Sequence, residues 1–316
     1  MGKFDLVSLG PCVQDVLYKV DKLPGYEGLS VIKRVATREG GVAANFSVAF
    51  SHLGGRVGII TVLGGDDTGR WLLKRLGEEG VDTSRVVIRE GRGSLRMHIF
   101  EDEALNRIFF VENRETLSMA PEEVDIDYVA EAAVFFTDLF LGEASLETLK
   151  KAKRRGIKTV VMLPYGLSVM EIWGVSREML LRGAEMADLI TTSLPVAMDI
   201  LGEESVEEVL AKLSRGRRIV AVTAGGEGSY VTDGENGYRV PALKVRVVDT
   251  TGAGDTYSAA LTYFLYVSGL SLVESAFLAS LAASIKCTRM GAWSSPKLGE
   301  ILEIRERIEL KASRIF

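Results

Sequence analysis

Cysteine and histidine are scarce in this chain of 316 residues, which has only two of each. Cys12 and Cys287 lie far apart, and together with His52 and His98 they match no spacing that is typical of zinc ligands. We therefore expect neither a disulfide-stapled secreted fold nor a zinc catalyst, and the free thiols predict a reducing cytoplasm. His52 is expected on a helix surface and His98 in a strand.

Positive charge is not in excess either, because 38 Lys and Arg face 43 Asp and Glu, which gives a net charge of −5. Neither nucleic acid nor an acidic membrane is an expected partner of such a chain. Asp5 stands where a secretory signal would need its apolar core. One segment, 256–273, has no charge, but it contains Thr, Ser and Tyr and is interrupted by a glycine, so it predicts a pair of buried helices.

Apolar strands and amphipathic helices alternate along most of the chain. The strand-like runs are FDLVSLG, RVGIITVLG, AAVFFTDLF, KTVVML, DLITTS and RIVAVTAGG, and the helical ones are AANFSVAFSHLG, TGRWLLKRLGEEG, SLETLKKAKRRG and SVEEVLAKLSRG. This order predicts an α/β fold with a central, mainly parallel sheet covered by helices on both faces. A single domain over residues 1–316 is the simplest arrangement.

Two regions interrupt this alternation. Residues 12–38 and 92–113 each have the pattern of two strands joined by a turn. We expect these two units to form a small separate sheet that projects from the main domain.

The clearest candidate for chemistry is the stretch DTTGAGDTYSAAL, where a strand-like run passes through glycines into a helix. A helix N-terminus binds anions because its first N–H groups are free and its dipole is positive there. Asp255 in this first turn has two interpretations. It stabilises its own helix, or it accepts a proton from a hydroxyl whose oxygen attacks phosphorus.

Three other known phosphate-binding motifs are not matched by the sequence. GGDDTGRW resembles a Walker A loop, but Arg70 and Trp71 replace the lysine and the magnesium-binding hydroxyl. GAGDTY has Tyr257 at the third glycine of a dinucleotide fingerprint. The catalytic motifs of protein kinases are absent from the sequence.

Other polar and glycine positions are weaker candidates when taken singly. Gly40 and Gly41 precede a helix whose first turn carries Asn45, and Asp15 follows the first strand. Asn and Asp side chains suit the hydroxyls of a polyol, but an ordinary helix start explains the same residues. The glycine-rich turn in VAVTAGGEGSYV fits either a plain hairpin or a nucleotide contact.

Taken together, these residues resemble the ribokinase-like, or PfkB, family of carbohydrate kinases over essentially the whole chain. DTTGAGDTYSAAL is similar to the C-terminal signature of that family, and GGVAANFSVAFSHLG is similar to its N-terminal signature. The resemblance implies a three-layer α/β/α fold with a small β-sheet lid, formed here by 12–38 and 92–113. The exposed edge of such a lid sheet offers a route to a homodimer.

The resemblance also implies a role for each candidate residue. Asp255 is the expected base. Gly252, Ala253 and Gly254 form the expected anion hole. Thr223, Gly225 and Gly228 are expected to contact ATP, and Asp15, Gly40, Gly41 and Asn45 to hold the acceptor. Asp249 and Thr251 are implied for a monovalent cation such as K⁺, beside Mg²⁺.

Some positions depart from the family pattern. Ser193 and Val196 replace an Asn-x-x-Glu that helps to organise magnesium, so Mg²⁺ is expected to be held through waters or other groups. Val42 stands where true ribokinases have lysine and Met162 where many relatives have an acid, so ribose is not implied as the acceptor.

The resulting hypothesis is an ATP-dependent kinase for a hydroxyl of a sugar or sugar-like molecule. A nucleoside kinase of the same fold is the alternative, with Phe100, Phe109 or Phe110 as a platform for the base. A non-catalytic sensor of sugar or nucleotide is a further one. The sequence does not identify the acceptor, and it does not distinguish ATP from ADP as the donor.

Overall fold

A ten-stranded sheet forms the centre of the molecule, and a four-stranded sheet and a two-stranded sheet accompany it. The structure is a computed structural model that describes residues 2–104, 106–309 and 311–316. Leu105, in the second predicted strand–turn–strand unit, therefore lies outside the described residues. The strands are β1 (Phe4–Leu9), β2 (Val13–Val20), β3 (Ile32–Gly40), β4 (Val57–Ile60), β5 (Val62–Gly64), β6 (Val81–Asp82), β7 (Val87–Arg89), β8 (Arg96–Glu101), β9 (Arg107–Glu112), β10 (Ala132–Thr137), β11 (Lys158–Leu163), β12 (Leu189–Ser193), β13 (Ile219–Thr223), β14 (Ser229–Thr232), β15 (Gly237–Val240) and β16 (Ser313–Arg314).

The helices fall between the strands of the central sheet and after them. They are α1 (Val42–His52), α2 (Asp67–Glu78), α3 (Ile126–Ala130), α4 (Glu143–Arg154), α5 (Leu167–Ile172), α6 (Arg177–Met186), α7 (Leu194–Leu201), α8 (Val206–Leu213), α9 (Ala253–Thr262), α10 (Leu272–Cys287) and α11 (Leu298–Arg307). Short 3₁₀ turns span Arg114–Leu117, Pro121–Glu123 and Gly225–Glu227, and a π-helical turn, Tyr263–Val267, follows α9. The predicted pair of buried helices at 256–273 thus corresponds to α9 with its π turn and the start of α10.

The central sheet has the order β16-β15-β14-β13-β12-β11-β10-β1-β4-β6. Every pairing from β13 to β6 is parallel, and β14, β15 and β16 continue the sheet as antiparallel strands. Chain order reverses at β1, which has β10 on one side and β4 on the other. Ligands of open α/β sheets bind at the carboxyl ends of strands near such a reversal.

Helices cover both faces of this sheet, as predicted. Helix α1 packs on β1 and β4, and α9 lies between α1 and α10. The aromatic rings of Phe46 on α1 and Phe136 on β10 stack with centroids 3.7 Å apart. This contact fixes the N-terminus of α1 beside the end of β10, where buried polar residues gather.

The four-stranded sheet, which we call the small sheet, has the order β3-β2-β8-β9. Its strands come from the two regions that interrupt the alternation. It consists of two antiparallel hairpins, β2–β3 and β8–β9, which are joined by the parallel pairing of β2 with β8. The side chains of Tyr18 and Phe100 stack at 4.4 Å, and Phe109 and Phe110 are more than half exposed.

Two predicted strands differ from the structure. The strand-like run before Gly252 forms no strand between β15 and α9, because the N–H groups of Val248 and Asp249 bond to the carbonyl of Cys287 instead of to a neighbouring strand. The run RVGIITVLG forms two strands, β4 and β5, separated by the buried residue Thr61. The physical reason is pairing, because β4 joins β1 and β6 in the central sheet whereas β5 pairs with β7 in the two-stranded sheet. No helix among the described ranges is both long and apolar enough to cross a bilayer.

Candidate active site

A cleft of about 580 Å³ opens at the carboxyl ends of β11, β12 and β13. Its lining comes from those strand ends and from the N-terminal turns of α1 and α9. The lining residues are Val42, Met162, Leu163, Pro164, Tyr165, Thr192, Ser193, Thr223, Gly252, Gly254, Asp255 and Ser258. Four predicted site residues, Thr223, Gly252, Gly254 and Asp255, therefore meet in one cleft.

The N-terminus of α9 forms one wall of the cleft. Gly252 precedes the helix with φ +79°, and a Cβ there would lie 2.9 Å from Cα of Ala292, so both backbone and space require glycine. The N–H of Ala253 donates to the carbonyl of Thr250 at 3.1 Å, and that of Thr256 to the carbonyl of Gly252 at 2.9 Å. Within the described part of the chain, the intervening N–H groups of Gly254 and Asp255 have no backbone acceptor, as expected for a first helical turn.

Asp255 is buried at the base of this wall, with 7% of its surface exposed. Burial raises the pKa of its carboxyl to about 6, although a hydrogen bond from Asn45 and the charge of Lys286 act in the opposite direction. A carboxylate with this pKa is mostly ionised at neutral pH. It can therefore accept a proton, and its pKa lies closer to the working pH than that of an ordinary aspartate.

A hydrogen-bonded chain orients the Asp255 carboxylate. Nδ2 of Asn45 donates to Oδ2 of Asp255 at 2.7 Å, and Nε1 of Trp293 donates to Oδ1 of Asn45 at 2.9 Å. The indole can only donate, so it fixes which end of the amide faces the carboxylate. Asn45, predicted to hold the acceptor, thus also touches the predicted base.

Asp15 and Gly40 lie next to each other on adjacent strands of the small sheet. A Cβ at Gly40 would lie 2.6 Å from a carboxylate oxygen of Asp15, so only glycine leaves room for that side chain. Burial raises the pKa of Asp15 to about 7. Gly41 follows as the residue that caps α1, and Val42 after it lines the cleft.

The second glycine turn is a hairpin at the edge of the cleft. Thr223 ends β13, Gly225 and Gly228 flank the 3₁₀ turn, and β14 returns at Ser229. The hairpin is therefore present, and only its Thr223 is among the residues that line the cleft.

Sequence reasoning missed several residues in and around the site. Tyr165 lines the cleft with 46% of its surface exposed, and Asp138 is fully buried with Oδ2 unpaired. Burial raises the pKa of Asp138 to about 8, and the charge of Asp255 contributes. Both residues follow β11 or β10 within two positions, and this position at the end of a parallel strand was a usable signal. Trp293 gave no signal of its own.

Comparison with known proteins decides the family. The model of the pfkB family carbohydrate kinases matches residues 3–298. The chain belongs to the pfkB family of carbohydrate kinases. Its fold class is confirmed, and it is a phosphotransferase that acts on an alcohol group of a sugar.

Individual relatives of this carbohydrate kinase differ in name. It is 30% identical to the 5-dehydro-2-deoxygluconokinase of Shouchella clausii over 325 residues, covering 97% of this chain and 96% of that protein. An Arabidopsis thaliana ribokinase complexed with ribose and ATP superimposes with a TM-score of 0.83 at 21% identity, covering 96% of this chain and 99% of that one. A Burkholderia thailandensis nucleoside kinase in complex with inosine superimposes with a TM-score of 0.80 at 19% identity, covering 96% of this chain and 98% of that one.

Proposed function

We propose that this chain transfers the γ-phosphoryl group of ATP to a hydroxyl of a sugar or sugar-like small molecule, with Asp255 as the base. The observation that carries the proposal is the buried carboxylate of Asp255 in the same helical turn as the free N–H groups at the cleft wall. Burying a carboxylate costs free energy, and buried acids with raised pKa values cluster at functional sites. The family membership supports the same reaction class.

In the proposed reaction the acceptor oxygen forms a bond to the γ-phosphorus while the bond from phosphorus to the β,γ-bridging oxygen breaks. ADP leaves with that oxygen, and the acceptor proton passes to Asp255. An alcohol is a far weaker acid than a carboxylic acid, so the proton moves late in the transition state. The Gly252–Gly254 turn supplies the anion hole. The N–H of Ala253 already donates to Thr250, so the N–H groups of Gly252 and Gly254 and the dipole of α9 stabilise the equatorial oxygens.

The nucleotide is assigned to the hairpin side of the cleft, where Thr223, Gly225 and Gly228 lie. Thr223 lines the cleft, and the glycines leave the backbone open to a flat ligand. The family supports ATP as the nucleotide class.

The acceptor is assigned to the opposite side, near Asp15, Gly40, Gly41 and Asn45. The amide of Asn45 has two donors, of which one serves Asp255, so the other is available to a hydroxyl. The pKa of about 7 at Asp15 lets that carboxyl accept or donate hydrogen bonds near neutral pH. We also propose that the small sheet, from 12–38 and 92–113, is the lid over this acceptor.

Magnesium has no dedicated protein ligand set in the parts of the chain that the structure covers, where no three acidic, histidine or cysteine side chains gather. Mg²⁺ is commonly held by substrate phosphates and waters with few protein ligands. It would therefore arrive with ATP, and no residue of this chain is assigned to it.

A nucleoside kinase is the second candidate, because exposed aromatic rings lie where a base could stack. Tyr165 lines the cleft, and Phe109 is 57% exposed. Leu17, Ile99 and Phe109 lie side by side on β2, β8 and β9. Leu17 is two residues after Asp15 in β2 and so lies on the same face of the small sheet, which places Phe109 on the face of Asp15 as well. The nucleoside kinase with bound inosine has the same fold. The third alternative, a non-catalytic sensor, does not agree with the phosphotransferase activity of the family.

The deciding experiment is a transfer assay over a panel of hexoses, pentoses, keto-sugar acids and nucleosides, with ATP or ADP as donor. Product is measured by ³¹P NMR, and Asp255→Asn serves as the matched blank. We expect ATP-dependent phosphorylation of one sugar class. Transfer only to nucleosides would replace the first candidate by the second, and ligand binding without any transfer would contradict the proposed reaction.

Assembly and location are proposals of the same kind. The apolar side chains of Val35 and Phe110 are exposed on the face of the small sheet opposite to Phe109, which favours a homodimer through that face. Light scattering on wild type and Val35→Lys tests it. Cys12 and Cys287 are both free thiols, which suits a reducing cytoplasm.

A further inference from the structure

Lys286, near the C-terminus of α10, is a fully buried cation directly behind the N-terminus of α9. Its relative exposure is 0%, and its Nζ donates to the backbone carbonyl of Asp249 at 2.8 Å. Lysine is almost never fully buried unless its charge is paired. Burial lowers the pKa of Lys286 below its ordinary value, while the charges of Asp249, Cys287 and Asp255 act in the opposite direction and favour the ammonium form.

The backbone around Lys286 is held by direct protein contacts. The N–H groups of Val248 and Asp249 both donate to the carbonyl of Cys287, at 2.8 and 3.2 Å. The two carboxylate oxygens of Asp249 accept from the N–H of Thr251 at 2.9 Å and from that of Gly291 at 2.8 Å. The loop before α9 and the segment after α10 therefore close on each other through hydrogen bonds and the ammonium group.

These residues do not fit a monovalent metal ion at Asp249 and Thr251. K⁺ binds carbonyl and carboxylate oxygens, and the ammonium of a lysine, which has three donors, seeks the same oxygens. Here the carbonyl of Asp249 already accepts from the ammonium, and both its carboxylate oxygens accept from N–H groups. A second cation at this place would also meet a like charge in a poorly solvated setting.

We propose that the ammonium of Lys286 takes the place of a monovalent cation behind the Gly252–Gly254 turn, so that phosphoryl transfer by this chain does not need K⁺. The inference rests on the proposed function for its catalytic part and on the contacts alone for its structural part. A fixed positive charge there adds to the positive end of α9, where the transferred phosphoryl group is assigned. It also favours the ionised form of Asp255.

The test compares initial rates and melting temperatures in KCl, NaCl and choline chloride at one ionic strength. We expect wild type to differ less than about twofold in rate between the salts, because its cation is built in. Lys286→Ala leaves a cavity and the freed oxygens, so we expect its rate in choline chloride to fall about 10²-fold and to recover partly in KCl. Lys286→Met fills the space without charge, so its loss should not be restored by K⁺.

Melting temperature separates this proposal from the proposed function, because it needs no turnover. K⁺ should raise the melting temperature of Lys286→Ala above its value in choline chloride, and should leave wild type and the exposed-lysine control Lys74→Ala unchanged. A wild-type rate or melting temperature that depends strongly on K⁺ would overturn the proposal. So would a Lys286→Ala variant that folds and is indifferent to K⁺. Should that variant not fold, the wild-type measurement still decides.

Discussion

At the scale of single residues, the environment of Asp255 separates a catalytic acid from a helix cap. A first-turn acid that only stabilises its helix gains about 0.3–1 kcal/mol and is usually solvated. Asp255 is buried instead, and burial raises the pKa of its carboxyl to about 6. Asn45, oriented by Trp293, lowers that pKa again and keeps the carboxylate ionised near neutrality.

The pH dependence of kcat/KM should follow this titration. The base must be deprotonated, so we expect the rate to fall as pH decreases through about 6, the pKa of Asp255. Asn45→Ala removes a hydrogen bond that favours the charged form and should move this acid limb to higher pH. A rate profile of both proteins over the acid and neutral range measures the shift, and superimposable acid limbs would contradict the role of Asn45.

The sequence was sufficient for those site residues that belong to a continuous motif. Asp255, Gly252 and Gly254 could be predicted together because a glycine turn and the first turn of α9 follow one another in one short stretch. Trp293 and Lys286 could not, because each acts through a fold contact with a residue distant in sequence. The predicted helix-surface role of His52 was wrong. It is buried, and its ring bonds to Glu79 and Ser295 across three segments, which its lone position in a helix did not indicate.

At the scale of elements, the junction from the loop into α9 is shaped by two glycines with different tasks. Gly252 combines φ +79° with close contact to Ala292, whereas a Cβ at Gly254 would lie 3.6 Å from Cε of Met162, an ordinary contact. Both glycines line the cleft. The fold itself requires the first glycine, whereas the second leaves space for the ligand.

Alanine substitutions should separate these tasks. Gly252→Ala should lower the melting temperature, since an L-residue at positive φ costs about 1–2 kcal/mol and the contact with Ala292 adds to it. Gly254→Ala should keep the melting temperature and lose turnover, because its methyl group enters the anion site. Gly269→Ala, at φ +67° in open space, isolates the backbone cost. Equal losses of stability in all three would contradict this division.

Elements with strong hydrophobic periodicity could be predicted from the sequence. The division of one apolar run between two sheets could not. The helices α1, α2, α4 and α8 and the hairpin from β13 to β14 all lie where the pattern placed them. The break between β4 and β5 depends on which strand each one pairs with, and pairing is not encoded locally. The π turn after α9 likewise has no local signal in YFLYV.

At the scale of the whole molecule, the site accumulates buried carboxyl groups. Burial raises the pKa of Asp255 to about 6, of Asp15 to about 7 and of Asp138 to about 8. An unfolded aspartate titrates near ~3.9, so the folded chain binds these protons more tightly. The stability they contribute is present at low pH and is lost as pH rises towards about 8.

The ligand-free protein should therefore melt at a lower temperature at pH 9 than at pH 6. Asp138→Asn should make the difference between the two melting temperatures smaller, because Asp138 has the highest pKa of the three carboxyl groups. Asp5→Asn is the matched control, since Arg56 lowers the pKa of Asp5 and its charge is constant over this range. Calorimetry at both pH values measures the differences, and an unchanged difference in Asp138→Asn would contradict the assignment.

The central claim is that Asp255 is the base of a phosphoryl transfer. Its most direct test is the turnover of Asp255→Asn on the preferred acceptor together with its affinity for ATP, measured beside Glu274→Gln. Glu274 is also a first-turn acid, on α10, but its side chain is 40% exposed and is not among the residues that line the cleft. We predict that Asp255→Asn loses about 10²–10⁴-fold in kcat and still binds ATP, while Glu274→Gln stays near wild type. Near-normal turnover in Asp255→Asn would contradict the account.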